Sequence, residues 1–534
     1  MSRTLAALGI ILIAGLIAFG VMFGGCLKPD DDCNGSSKSR KAKRPAPCKD
    51  WEQPAFALVL SGEQKGYLEP CGCTMENQLG GLAHRADLLR LLRKERKWNV
   101  AALDLGGLLL RNRHQDRIKL QQTLKGLEQV GYAAVGLGAS ELPNNPEFLD
   151  YLLTMSNFLK DAPDAKLPFV SANIRMPPDD ALGPRPWHRF TLGGKTVAVT
   201  SVLGKNERAK ILGQQTKNSQ LAILDPEAAL PEVVVKMKAA KPDLMVLLAY
   251  SGLKDETREL AKKFPDFDLV LSAGGPEDGT PKPVKVGNTL IVNVGMKGKH
   301  VGVVGFYPDS KTERLKYELV ELDAERFKDD PRMLDLMKNY QQSLADDLGA
   351  VFADTKFGPH PSGSQYVGVD SCKECHKKAY AVWSKTKHAQ AYKSLSIGRP
   401  DTKGKWISRI RDPECLCCHT TGWDPQKVLR YNSGFLVKKL AGSGDNAKHY
   451  ARLQGQQCEN CHGPGSRHVE IETKWRDDPK SVKDDLLRST RKQMQLTVEI
   501  AKQRRLCYQC HDLDNSPNFD FEKYWEKVRH KGKD

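Results

Sequence analysis

Nine of the fourteen cysteines lie between residues 372 and 510, and eight of them fall in four copies of one five-residue pattern. The copies are Cys372-Lys-Glu-Cys375-His376, Cys415-Leu-Cys-Cys418-His419, Cys458-Glu-Asn-Cys461-His462 and Cys507-Tyr-Gln-Cys510-His511. With fourteen cysteines and thirteen histidines in 534 residues, random placement yields only about 0.009 copies of C-x-x-C-H. The spacing suits one chemistry. Two thiols three residues apart form thioethers with the vinyl groups of a haem, and the adjacent histidine reaches its iron as proximal ligand. A zinc site needs two C-x-x-C pairs converging on one metal, and it leaves the histidine after every second cysteine without a reason. A disulfide framework belongs to short secreted domains. The sequence therefore predicts four covalent haems of c type, bound through Cys372, Cys375, Cys415, Cys418, Cys458, Cys461, Cys507 and Cys510, with His376, His419, His462 and His511 on the irons. So little polypeptide per cofactor predicts a mainly α segment cored by the haems. Cys417, inside the second motif, is a spare thiol.

The net charge of +17 is concentrated here: residues 360–534 carry 33 Lys and Arg against 21 Asp and Glu. Four haems bring roughly eight propionate charges, so much of this basicity is internal neutralisation, and the excess suits an acidic redox partner rather than nucleic acid. His360, His388, His449, His468 and His530 are the further histidines from which sixth ligands can come.

Two strings are more specific. Tyr366-Val-Gly-Val-Asp-Ser-Cys-Lys-Glu-Cys-His376, followed by Ala381-Val-Trp383-Ser-Lys-Thr-Lys-His388, resembles the opening of the tetrahaem cytochrome c-554 family. Cys458-Glu-Asn-Cys-His462-Gly-Pro-Gly-Ser-Arg-His468 resembles that family's third haem site. The resemblance spans 366–515. It implies distal ligands at His388 and His468, a third from the C-terminal end, where His530 is the substitute, and a second haem, on His419, without a protein sixth ligand.

Residues 51–320 alternate apolar strands with helical stretches. Strands are expected at Phe56–Leu60, Val100–Leu103, Ala133–Leu137, Phe169–Ala172, Thr196–Val202, Leu244–Leu248, Leu269–Leu271, Thr289–Val294 and Val301–Tyr307. Helices are expected at Leu82–Glu95, Ile118–Gln129 and Glu227–Ala239, from apolar residues at i, i+3 and i+4. This is an α/β layered pattern. Gly80-Gly81-Leu82, Leu103-Asp-Leu-Gly-Gly107, Gly131 to Glu141, Ser171-Ala-Asn173 and Leu247 to Gly252 make it similar to the metallophosphoesterase domain of periplasmic 5′-nucleotidases. That family binds two metals, but by this alignment its ligand positions hold Glu63 and Lys65, Gly107, Ala139 and Ser140, Tyr250, Gly274 and Pro276. Lys65, Gly107, Ala139 and Pro276 supply no metal ligand, so a pseudoenzyme is expected. Beside the lost centre stands Glu69-Pro-Cys71-Gly-Cys73. It reads as a strained disulfide, a soft-metal site with His84 or His114, or two plain thiols in a turn. The Gly80-Gly81 pair reads as an anion approach or as tight loop packing.

Leu5–Gly25 is uncharged and follows Arg3, which is long enough for a signal anchor. Lipidation at Cys26 is the alternative, and Cys33 and Cys48 are a further possible pair. The expected organisation is a signal anchor or lipoprotein signal at 1–27, a flexible linker at 28–50, a metallophosphoesterase-like domain at 51–322, a helix and linker at 323–365, and a tetrahaem domain at 366–534. The fold class is an α/β layered metallophosphoesterase-like sandwich followed by a mainly α, haem-cored cytochrome c domain. The expected function is electron transfer, on the periplasmic side of the cytoplasmic membrane, with a periplasmic or membrane redox partner. The rivals are an oxidoreductase of small nitrogen or sulfur compounds at an open haem, a nucleotidase, and a redox sensor acting through Cys71 and Cys73.

Overall fold

The computed structural model describes residues 44–71, 79–142, 167–175, 183–213, 221–251, 254–398 and 406–532. The expected anchor, Cys26, Cys33 and Cys73 lie outside the described residues. Among the described residues no helix is long and apolar enough to cross a membrane.

Two sheets form the N-terminal half. The first has the order Leu315–Glu321, His300–Phe306, Phe56–Ser61, Val100–Asp104, Tyr132–Val135. Phe56–Ser61 lies antiparallel to His300–Phe306 (Phe56 opposite Phe306) and parallel to Val100–Asp104 (Leu60 opposite Leu103). The second has the order Thr280–Val286, Thr289–Asn293, Leu269–Ser272, Leu244–Tyr250, Lys195–Leu203, His188–Leu192.

The layering follows from the two-residue period of a strand. Phe56, Leu58 and Leu60 point into a core between the sheets, where they meet Val197, Val199, Leu244, Val246 and Leu248. Ala57 and Val59 point the other way, under the helices Leu82–Arg90, His114–Gln129 and Pro331–Asp346. On the second sheet Ala198, Met245, Leu247 and Ala249 pack beneath the helix Pro226–Ala239 through Leu230, Val233 and Met237. The result is an α/β/β/α sandwich. Strands buried on both faces carry continuous apolar runs, which is why the inner ones are legible in the sequence. Phe169–Ala172 is a correction: it forms only single bridges, Val135 to Phe169 and Val170 to Arg185, and no strand. The strands of these two sheets that were missed are His188–Leu192, Thr280–Val286 and Leu315–Glu321. All three are sheet edges with exposed or half-exposed side chains, so they lack that apolar run.

The C-terminal part is a set of short helices with one small sheet, Lys356–Gly358 beside Leu429–Tyr431 and Trp423–Asp424. The stretch expected as a linker at 357–365 is packed: His360 lies against Tyr366 and Tyr431, and the Asn432 amide donates to the Gly358 carbonyl.

One apolar core crosses from the sandwich into this part. It joins Leu108, Leu124, Met333, Leu336 and Leu344 to Leu416, Cys417, Trp423 and Phe435.

Candidate functional site

Each C-x-x-C-H motif closes a single helical turn. The His376 amide donates to the Cys372 carbonyl at 2.8 Å, and His511 repeats this with Cys507 at 2.8 Å. An i to i+4 bond brings the cysteines and the histidine of a motif to one side.

The histidines then pair. His376 faces His468 with ring centroids 6.4 Å apart, His511 faces His388 at 6.0 Å, and His462 faces His530 at 5.7 Å. Imidazole nitrogens bind first-row metal ions at about 2.0–2.1 Å, so two rings on opposite sides of one ion stand roughly 6 Å apart. His419 has no histidine ring facing it among the described residues. The other two candidates are engaged elsewhere: His360 packs on Tyr366 and Tyr431, and His449 turns its Nε2 to the Ser433 carbonyl at 3.2 Å.

For three of the rings the chain also fixes which nitrogen is presented. Nδ1 of His419 bonds the Ala391 carbonyl at 2.7 Å, Nδ1 of His462 the Met494 carbonyl at 2.6 Å, and Nδ1 of His530 the Val528 carbonyl at 3.1 Å. A carbonyl only accepts, so Nδ1 donates and the Nε2 lone pair is left for a ligand bond. His511 Nδ1 bonds the Ser516 hydroxyl at 2.9 Å. Burial pushes His462, His468 and His511 down, and burial with neighbouring His511 and His419 pushes His388 down to about 4. Burial thus favours the neutral ring, the form that binds metals.

Thiol proximity relates the motifs in space. Cys372 lies beside Cys458 and Cys510 beside Cys418, while Cys461 is within electrostatic range of both Cys507 and Cys510. The first motif thus adjoins the third, the second adjoins the fourth, and the third and fourth lie near one another. Glu459 locks the first and third together: its buried carboxylate accepts the amides of Val367 at 3.0 Å, Gly368 at 2.8 Å and Gly465 at 2.8 Å. Cys417 is buried, with its sulfur 3.8 Å from that of Cys418.

The second and fourth motifs rest on the sandwich. Asp412 caps the helix Pro413–His419 by accepting the Glu414 amide, and it also accepts from Gln115 at 2.7 Å and Gln341 at 2.9 Å. Glu414 pairs with Lys119 and with Arg111. Arg409 holds the Glu69 carboxylate at 2.6 Å, and Asp514 receives Tyr67 at 3.0 Å and Lys297 at 2.5 Å. Sequence reasoning missed this clamp. The Asp-Pro-Glu before Cys415 marks a helix start, but nothing local says what the carboxylates face.

The loops that follow the strands 56–61, 100–104, 132–135, 244–250 and 269–272 gather the residues expected at the lost metal centre. Glu141 accepts the amides of Gly107 at 2.8 Å, Leu108 at 2.6 Å and Gly138 at 2.7 Å. The Tyr250 ring fills the space against two glycines: a Cβ would fall 2.9 Å from it at Gly107 and 2.6 Å from it at Gly138. Burial pushes the Glu63 carboxyl up, while the Gly274 amide at 3.1 Å and the Lys65 ammonium at 4.0 Å oppose this. Lys65 also reaches the Met296 sulfur at 2.9 Å. Among the described residues no group of three or more His, Cys, Asp and Glu is placed to hold a metal ion. His84 contacts the Leu322 carbonyl at 3.3 Å and Asp329 at 3.4 Å, and His114 contacts Asp347 at 3.0 Å, so both have partners of their own. At Gly80 (φ +91°) a Cβ would meet the Gly298 carbonyl at 2.5 Å, so that glycine serves close packing. Cys48 is a buried thiol whose amide donates to Glu318.

Comparison with known proteins divides the chain in the same way. Residues 371–463 match the family described as cytochrome c554 and c-prime. The cytochrome c-554 of Nitrosomonas europaea is 26% identical over 125 residues, covering 22% of this chain and 46% of that protein. A 5′-nucleotidase of Vibrio vulnificus is 23% identical over 332 residues, covering 52% of this chain and 58% of that protein. Among solved structures, a 5′-nucleotidase precursor from Thermus thermophilus superimposes with a TM-score of 0.45 at 20% identity, over 55% of this chain and 59% of that one. This chain thus spans about half the length of the curated relatives it matches. It joins a 5′-nucleotidase-like metallophosphoesterase domain to a cytochrome c554-type segment in one polypeptide.

Proposed function

We propose that this protein is a periplasmic c-type cytochrome that carries electrons through four covalent haems, with its metallophosphoesterase-like domain as a brace. The observation that carries this reading is the facing of His376, His462 and His511 by His468, His530 and His388 at 5.7–6.4 Å. The donor set fits haem c: each motif offers two thiols, and each histidine whose Nδ1 is held by a carbonyl turns its Nε2 outward. When bound, haem supplies reversible one-electron chemistry, with a potential that follows axial ligands and burial. The chain's own residues attach the group through Cys372, Cys375, Cys415, Cys418, Cys458, Cys461, Cys507 and Cys510. They also orient the iron-facing rings and set the motifs beside one another. The thioether chemistry belongs outside the cytoplasm, and residues 1–27 would tether the chain to the membrane there. The test is the count of covalent haem per chain after acid–acetone extraction, with a potentiometric titration of the same sample. Four haems, all reducible, are expected, and two or fewer would sink the reading.

A second reading has its own observation. His419 faces no histidine among the described residues, so its haem is the candidate for an open coordination position and for an oxidoreductase of small nitrogen or sulfur compounds. Carbon monoxide added to the reduced protein tests it, because only an iron with an open or weakly held position responds. A spectrum that does not change removes this reading. Nucleotide hydrolysis is disfavoured, since Lys65, Gly107, Tyr250 and Pro276 stand where metal ligands are needed.

A further inference from the structure

We propose that Glu459 is a positioning residue for the first haem: its carboxylate ties together the two segments that carry the opposed rings of His376 and His468. The proposal rests on the electron-carrier reading above and adds which residue, itself no ligand, keeps one iron closed. Glu459 stands in the third motif and is 1% exposed, yet its carboxylate serves the first. It accepts the Gly368 amide at 2.8 Å, and Gly368 precedes the helix Val369–Lys373, which carries Cys372 and leads into His376. It accepts the Gly465 amide at 2.8 Å, and Gly465 precedes the helix Ser466–Asp477, which carries His468. Both of these leading residues are glycines, with no side chain to cap a helix, so one carboxylate receives the first donors of two helices.

The His468 ring depends on such a tie. Nδ1 of His419, of His462 and of His530 is held by a carbonyl. Nδ1 of His468 is buried without a hydrogen-bond partner, 3.8 Å from a Glu472 carboxylate that Arg491 already engages. The ring is therefore placed through its helix, and Glu459 places the start of that helix against the segment before His376. The third amide, that of Val367 at 3.0 Å, lies in the same segment. A carboxylate has the lone pairs to accept three converging N–H groups, whereas a carboxamide offers one oxygen and turns a donor toward the rest. Beside it the Gln365 amide donates to the Ser466 hydroxyl at 2.8 Å, and the Ser466 amide to the Gln365 carbonyl at 3.1 Å. That second tie is left intact when Glu459 is changed. The alternative is that Glu459 only stabilises the fold, with His468 seated independently of it.

The test uses the full haem-loaded chain, reduced and titrated with carbon monoxide. Glu459→Gln should make about one quarter of the haem newly responsive in the Soret band, because one iron of four loses its hold on His468. The double variant E459Q/H468A should respond no more than H468A alone, since both open the same iron. E459Q/H530A should respond about twice as much as either single variant, since two irons open. Glu459→Asp keeps the charge but is one methylene short, so it should give a smaller response, and it decides the matter if E459Q fails to retain its haem. A response unchanged from wild type with a lowered Tm leaves Glu459 a purely stabilising role and overturns the proposal. So does an E459Q response that adds to that of H468A, which puts the opened iron elsewhere. A silent H468A fails the axial pairing itself, and a wild-type count of two or fewer haems fails the electron-carrier reading. Both are read without any Glu459 variant, and either takes the proposal with it.

Discussion

Lys119→Met tests whether the sandwich braces the second motif. Lys119 lies on the 114–129 helix with its side chain 10% exposed, against a Glu414 side chain that is 25% exposed. Burial alone would lower the Lys119 ammonium, but Glu414, Asp412 and Asp116 around it raise it instead. Burial likewise works to raise Glu414, and Lys119 and Arg111 outweigh it, holding that carboxyl below its ordinary range. Removing one member of a buried pair costs about 3–5 kcal/mol. Arg111 remains 3.2 Å from Glu414, which argues for the lower end, about 3 kcal/mol. At about 2–4 °C per kcal/mol for a large domain, Tm should fall by about 6–12 °C. Circular dichroism should record it, in the far-ultraviolet for the sandwich and in the Soret band for the haem segment. The double variant K119M/E414Q should recover much of the loss, because a neutral amide needs no counter-ion. The sign with pH follows from the lowered carboxyl. Its contribution is complete above the unfolded value of about 4.3 and is lost as pH falls through the folded value. The gap between wild type and K119M should therefore close on acidification below about pH 4. A loss below about 1 kcal/mol, the value of a surface pair, or strict additivity in the double variant, would refute the brace.

Three further outcomes are expected. Alanine at His388, His468 or His530 should each make about one quarter of the haem newly responsive to carbon monoxide, because each removes one axial ligand; titration of the reduced Soret band reads this. Added Mn²⁺, Mg²⁺ or Zn²⁺ should give no nucleotide hydrolysis above a haem-free control, measured as released phosphate, since Lys65 and Tyr250 occupy the lost centre. Asp514→Asn should leave Lys297 and Lys299 with Glu277 as their carboxylate partner among the described residues. It should speed proteolytic cleavage within 497–532 by severalfold, with the 56–61 and 100–104 strands protected, because it removes one local anchor of the fourth motif.

What the sequence makes legible follows the range of the forces involved. The four motifs are local patterns of five residues, and the inner strands are continuous apolar runs, so both announce themselves without partners. The edge strand Thr280–Val286 does not: its TPKPVKV is exposed along most of its length, and only pairing with Thr289–Asn293 makes it a strand. The 114–129 helix begins four residues before its expected start, because His114 and Gln115 carry no apolar signal. Gln115 is buried only because Tyr340 and Asp412 receive its amide from distant parts of the chain. The same holds for Glu459, which reads as a surface acid between two cysteines until three backbone amides close around it. His530 lies 68 residues beyond His462 in the chain, and only the fold brings their rings together.

The lost metal centre and the clamp share the same loops. Ligand sites of α/β sheets form at the carboxyl ends of strands, where successive loops converge. Here the loops at that end hold Glu63, Gly107, Glu141, Tyr250 and Gly274. A carboxylate left buried without its cation is costly, and each one present has been given a substitute: Glu141 takes backbone amides, and Glu63 takes the Gly274 amide with Lys65 beside it. The Tyr250 ring fills the space against Gly107 and Gly138. The Lys297 amide bonds the Glu63 carbonyl at 2.8 Å, while its ammonium turns outward to Asp514 beside the fourth motif. The loops at this end of the sheets are thus filled by the Tyr250 ring and by carboxylates held on backbone amides, and Lys297 at their rim faces Asp514. Such fixed charges at a loop rim suit the positioning of the neighbouring fourth motif.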